Sequence, residues 1–188
     1  MSKLTVVYDA CVLYPAPLRD LLMWLAMTDL FQAKWTDKIH EEWMRNVLKN
    51  RPDLTLAQLD RTKQLMNRHV KDALVTGYEY LMPCLNLPDS NDIHVLATAI
   101  HAKANLIITF NIKDFPISIL TNYQICAIYP DEFILELMDI NETKVIGAIN
   151  QQRITLKNPP LSLEEYLKCL ENQKLTQTVK VLKEILLP

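Results

Sequence analysis

Asp9 follows directly on Leu4-Thr5-Val6-Val7-Tyr8, a β-branched and aromatic run that reads as a short buried strand. Asn111 and Asp114 follow a second such run, Asn105-Leu106-Ile107-Ile108-Thr109-Phe110. Asp89 and Asp92 stand just before the helical run Val95-Leu96-Ala97-Thr98-Ala99-Ile100. If the strands lie parallel in one sheet, these groups can meet beyond its carboxyl edge, where open α/β sheets gather ligands. Clustered carboxylates repel one another, so burying them together calls for a cation. Oxygen-only ligands select a hard ion such as Mg²⁺ or Mn²⁺. Each acid also has a plain structural reading. Asp9 and Asp114 suit turns, Asp89 suits a helix cap, and Asp92 suits a first helical turn. Glu41 and Glu42 would ordinarily face solvent, with Lys38 spaced to pair with Glu42. The joint placement at strand ends, not any one residue, carries the chemical reading.

The elements that must position these acids alternate in type. Strand-like runs at 4–8, 33–36, 105–110 and 124–129 are separated by helical ones. Leu18, Leu21, Leu22 and Leu25 recur at helical spacing after Pro15 and Pro17, and Ile39, Trp43 and Val47 share a face after Thr36 or Asp37. Thr55-Leu56-Ala57-Gln58 fits a capping box for a helix running to about Ala73. Such alternation predicts an α/β fold with a mostly parallel central sheet flanked by helices. From Asp131 onward only helices are expected: one with Phe133, Leu135, Leu137 and Met138, another near 142–152, one opened by the capping box Ser162–Glu165, and one from Thr176 or Gln177. The chain therefore divides into an α/β domain at 1–130 and a C-terminal α-helical extension at 131–188. Leu167, Leu170, Leu182 and Leu186 in that extension serve either the core or a partner.

Composition narrows the function classes. Only two glycines occur, Gly77 and Gly147, which excludes a Gly-rich phosphate loop and counts against an all-β protein. The net charge of −2 gives no global support to nucleic-acid binding. Locally, however, Arg45, Lys49, Arg51, Arg61, Lys63, Arg68 and Lys71 stand against only Asp53 and Asp60, a basic stretch able to hold phosphates. The four histidines, His40, His69, His94 and His101, lack paired metal-ligand spacing and suit surface or core positions. The four cysteines form no C-x-x-C pair, the opening residues make no signal peptide, and no run approaches a membrane span. A cytoplasmic protein with reduced thiols and no membrane association is expected.

An ordered set of motifs over roughly residues 3–130 resembles the PIN-domain nucleases. Val6-Val7-Tyr8-Asp9-Ala10-Cys11-Val12-Leu13 is similar to the family's opening strand and first aspartate. Glu42, within Ile39–Leu48, resembles its helical glutamate, register favouring Glu42 over Glu41. Asp92 matches the acid before its Ala-rich helix, and Ile107–Phe115 resembles its closing T-x-D segment. There Asn111 replaces the usual Asp; either Asp114, three residues on, substitutes for it, or the site has one charge fewer and binds metal more weakly. The chain looks like the broad group that includes ribonuclease toxins of VapBC-type toxin–antitoxin pairs.

The resemblance implies metal-assisted phosphodiester hydrolysis leaving a 5′-phosphate and a 3′-hydroxyl. Asp9, Glu42, Asp92 and Asp114 would be the catalytic acids, with Asp9, Asp92 and Asp114 holding Mg²⁺ or Mn²⁺. Arg45, Thr109 and Asn111 would contact substrate. RNA is the expected substrate, with DNA as an alternative, a protein antitoxin as partner and a homodimer as assembly. A PIN-fold binding module that no longer cuts is the other alternative. A dehalogenase-like phosphatase is disfavoured, because Asp9-Ala10-Cys11 lacks the second Asp of a D-x-D start.

Overall fold

The computed structural model describes residues 3–157 and 159–187; Met1, Ser2, Asn158 and Pro188 lie outside it. Strand β1 (Thr5–Tyr8) is buried along its whole length, as its unbroken apolar and β-branched run requires. β2 (Gln32–Lys34), β3 (Leu106–Ile108) and β4 (Cys126–Ile128) complete a sheet of order β2-β1-β3-β4. Every pairing is parallel, with Val6 opposite both Ala33 and Leu106, and Ile107 opposite Ala127. Parallel neighbours need crossovers, and helices supply them. These are α1 (Ala10–Leu13) and α2 (Ala16–Ala26), then α3 (Asp37–Asn50), α4 (Leu56–His69) and α5 (Ile93–His101), then α6 (Ile117–Leu120).

The strands are shorter than their sequence runs, for two reasons. At the carboxyl edge, Asp9 N–H still donates to Ile108 O and Thr109 N–H to Ile128 O, both at 3.1 Å, before the chains turn into the acidic site. At β2, Trp35 leaves the main sheet and pairs with the segment after α4. Its N–H donates to Ala73 O at 2.9 Å, and its carbonyl accepts from Val75 N–H at 2.8 Å. That pairing also explains why α4 ends at His69 and not near Ala73.

The C-terminal region is helical: α7 (Pro130–Thr155), α8 (Leu163–Asn172) and α9 (Thr176–Leu186). The two separate helices expected over 131–152 are present within the span of α7, meeting at a sharp break. Asn141 leaves helical geometry (φ −159°, ψ 88°), and its side-chain oxygen accepts from Lys144 N–H at 2.9 Å, capping the second half. Both expected capping boxes are formed, at Thr55–Gln58 and Ser162–Glu165. Helix α7 packs on α2, and α9 packs on α7. Leu167, Leu170 and Leu182 are buried in the same apolar core as Val6, Ile107 and Phe133, while Leu186 is partly buried against it. Each fully buried leucine contributes roughly 1.5–3 kcal/mol relative to exposure. Of the two uses open to the tail's apolar face, the core takes these leucines. No helix of the described residues is long and apolar enough to cross a membrane.

Candidate active site at the carboxyl edge of the sheet

Parallel pairing decides which residues meet. With Tyr8 opposite Ile108 and Ile108 opposite Ile128, the next positions, Asp9, Thr109 and Tyr129, line up across one edge. Asp9 is only 3% exposed. Its Oδ2 accepts from Thr109 Oγ1 at 2.7 Å and from the Cys11 thiol at 3.0 Å. Cys11 Sγ in turn accepts from Phe110 N–H at 3.2 Å, and Thr109 Oγ1 accepts from Asn111 N–H at 2.9 Å. The strand-end segments of β1 and β3 are thus tied together around one carboxylate oxygen. Burial beside the Asp9 carboxylate pushes the Cys11 thiol well above its usual range, so this sulfur is a protonated donor and not a nucleophile.

Asp92 ends the 3₁₀ turn Ser90–Asp92 that leads into α5, and Asp89 caps that turn by accepting from Asn91 N–H at 2.9 Å. Asp114 ends a second such turn, Ile112–Asp114, after β3. The Asp92 carboxyl is pushed up to about 7, first by burial and then by the carboxylates of Asp9, Asp89 and Asp114. Four acids from three chain segments therefore share one electrostatic neighbourhood, with His94 acting on Asp92 in the opposite direction. The acid of the closing segment that bears on Asp92 is Asp114; Asn111 is exposed.

Glu42 reaches the neighbourhood by another route. On α3 it is half-buried while Glu41 is exposed. Its Oε1 lies 3.0 Å from His94 Nε2 and not against Lys38. His94 itself is 3% exposed, and its Nδ1 is buried with no partner. Thr109 is fully buried and holds Asp9, a supporting place in the site. Arg45 is exposed on α3, three residues beyond Glu42. Of the basic stretch, Lys63 is taken by Asp37 at 2.6 Å and Arg51 by Asp53 at 2.5 Å, which removes part of its positive field.

Two residues of the site carried no chemical reading in the sequence, Cys11 and His94. Each lies two positions after a site acid, Asp9 and Asp92 respectively. A polar side chain two positions after an acid, within the first turn of the helix that follows, is the signal that could have found them. A cavity of about 650 Å³ lies elsewhere, among Met23, Leu65, Gln152 and Tyr166, and no site acid lines it.

The donor set suits a hard divalent cation, because it is built from carboxylate oxygens whose mutual repulsion is uncompensated. Among the described residues, no three His, Cys, Asp or Glu side chains are close enough to clasp one ion directly. An ion such as Mg²⁺, which keeps several waters and takes only one or two carboxylates, fits this spacing.

Comparison with known proteins identifies the family. Residues 5–113 match the family model described as PIN domain, and residues 130–184 match the one described as VapC50 C-terminal domain. A Mycobacterium tuberculosis protein with the printed name "Putative ribonuclease VapC50" is 35% identical over 101 residues, covering 54% of this chain and 59% of that protein. The match thus spans somewhat more than half of each chain. With its parallel sheet, its acids gathered at one edge and a family match over most of that region, the chain belongs to the PIN-domain family.

Proposed function

We propose that the protein is a divalent-metal-dependent endoribonuclease that acts as the toxin of a toxin–antitoxin pair. The convergence of Asp9, Asp89, Asp92 and Asp114 on one neighbourhood carries the reading, since such crowding is costly unless a cation offsets it. The name of the mycobacterial relative supports RNA as substrate and the toxin assignment.

Asp9, Asp92 and Asp114 would hold Mg²⁺ or Mn²⁺, one or two of them directly and the remainder through waters the ion retains. When bound, the ion supplies Lewis acidity toward a phosphoryl oxygen and a water of lowered pKa. The chain's own residues do the rest. Thr109 and Cys11 fix the Asp9 carboxylate through two hydrogen bonds donated to Oδ2. Glu42, held by His94, orients the attacking water and takes its proton. Asn111, exposed next to Thr109, and Arg45, exposed on α3 three residues beyond Glu42, steady the substrate's phosphates and sugar.

The test is cleavage of RNA with and without Mg²⁺ or Mn²⁺, comparing the intact protein with Asp9→Asn. Metal-dependent cleavage that disappears in the variant is expected. Cleavage surviving either chelation or the substitution would overturn the mechanism. Failure of the intact protein to cut any RNA or DNA would favour a PIN-fold binding module.

A further inference from the structure

Beside the acids, the same sheet edge opens a cavity of about 570 Å³ that the proposed hydrolysis does not use. Phe110 and Tyr129, the first residues beyond the Thr109–Ile128 hydrogen bond, form one side of it. Leu135 of α7 and Lys174, from the turn between α8 and α9, form the other. Tyr129, just beyond the edge strand β4, is 49% exposed, so its ring is open to a ligand. Across the edge, Tyr129 sits two strands from Asp9, a separation of roughly 10 Å at ordinary strand spacing. Lys174 adopts a left-handed conformation (φ 65°) that turns the chain out of α8, and its ammonium lies 5.0 Å from the centre of the Phe110 ring.

We propose that this pocket receives an unpaired base of the RNA strand, next to the phosphate held at the acids. The inference rests on the nuclease reading of that edge and assigns the neighbouring nucleotide a seat. Stacking faces come from Phe110 and Tyr129, which any base can use. The ammonium of Lys174 leaves the Phe110 ring as the base enters and pairs with the flanking phosphate. Two acids tell base from phosphate as the occupant. Glu132 at the rim repels a phosphate placed inside the pocket. Asp131 is already committed, accepting from Gln177 N–H at 2.9 Å and Thr178 N–H at 2.8 Å at the start of α9. A duplex cannot present a base this way, so the strand must be single or splayed. The C-terminal helices thereby acquire a role at the site: they carry the cation and one wall of the seat.

The experiment uses the full chain carrying Asp9→Asn, so that binding is read without cleavage. Fluorescence anisotropy with a labelled single-stranded RNA dodecamer measures affinity as Tyr129→Ala, Tyr129→Phe and Lys174→Ala are added. Tyr129→Ala should weaken binding roughly five- to 150-fold, the worth of one base–aromatic stack. Tyr129→Phe should restore it, because the ring and not the hydroxyl does the stacking. Lys174→Ala should lower the salt dependence of binding by about one phosphate contact. An affinity unchanged by Tyr129→Ala, or a loss not restored by Tyr129→Phe, overturns the proposal. Because no cleavage is measured, that failure is separate from failure of the nuclease reading, which the metal-dependent assay decides.

Discussion

Helix α3 sends His40 and Trp43 into one buried polar cluster and Glu42 into another. In the first, the Trp43 indole N–H donates to His40 Nδ1 at 3.0 Å. His40 Nε2 must then carry the hydrogen, and it donates to Asn67 Oδ1 at 3.1 Å, which also accepts from Trp35 Nε1 at 2.7 Å. Every donor of the three rings has an acceptor, and His40 is fully buried and neutral, with burial holding it down to about 4. In the second cluster, acids face acids, and a buried nitrogen of His94 has no partner. The contrast separates two uses of buried polarity. Closed hydrogen bonding fixes α3 and α4 in place, whereas uncompensated charge marks a place that something else completes.

The largest expected effect lies on the uncompensated side. Asp9→Asn should lower cleavage roughly thousandfold, the loss of several kcal/mol of charge stabilisation. It should leave the thermal midpoint unchanged or higher, since it removes repulsion. A lower midpoint in scanning calorimetry would mean that Asp9 is a structural acid, and the comparison would fail. On the closed side, Asn67→Ala leaves two buried donors without an acceptor. It should cost about 2–4 kcal/mol in urea unfolding while leaving cleavage by the folded fraction intact. A loss below 1 kcal/mol would show that the network does not hold the helices.

The pH dependence sharpens the contrast further. An unfolded histidine titrates near 6.5, and folded His40 near 4. Within that window the unfolded chain binds the proton and the folded chain does not. In an Asp92→Asn background, which removes the opposing proton uptake of a carboxyl raised to about 7, stability should therefore fall as pH falls, by about 2 kcal/mol between pH 7 and pH 5. Urea unfolding at the two values measures it, and a flat result would contradict a neutral His40. The smallest effect is expected from Asn111→Asp, which adds one exposed carboxylate. It should lower the half-saturating metal concentration by about fivefold, the worth of roughly one exposed charge contact. Titration with Mn²⁺ reads this directly.

Much of the frame was legible before folding. The run Leu4–Tyr8 ending on Asp9 announces a buried strand and an acid at its carboxyl end, because a strand covered on both faces has no room for polar residues within it. The Thr55–Gln58 and Ser162–Glu165 boxes announce helix starts, because their hydrogen bonds are local. The break at Asn141 was legible as two helical segments on either side of it, because the cap that starts the second one, Asn141 to Lys144, is local too. The early end of α4 depended on Trp35 pairing with residues near Leu74, a contact between segments far apart in the chain. The partner of Glu42 could not be read at all: local spacing offers Lys38, but burial and register deliver His94.

Sequence alone determined the class of fold and the kind of chemistry, because strand runs, helical spacing and the presence of acids are local properties. Only the tertiary structure decided which acids face one another, which histidine is closed and which is open, and that Lys174 hangs over Phe110. Those outcomes depend on parallel register and on α8 and α9 folding back over the sheet edge. Both are distances between parts of the chain, and no residue encodes a distance by itself.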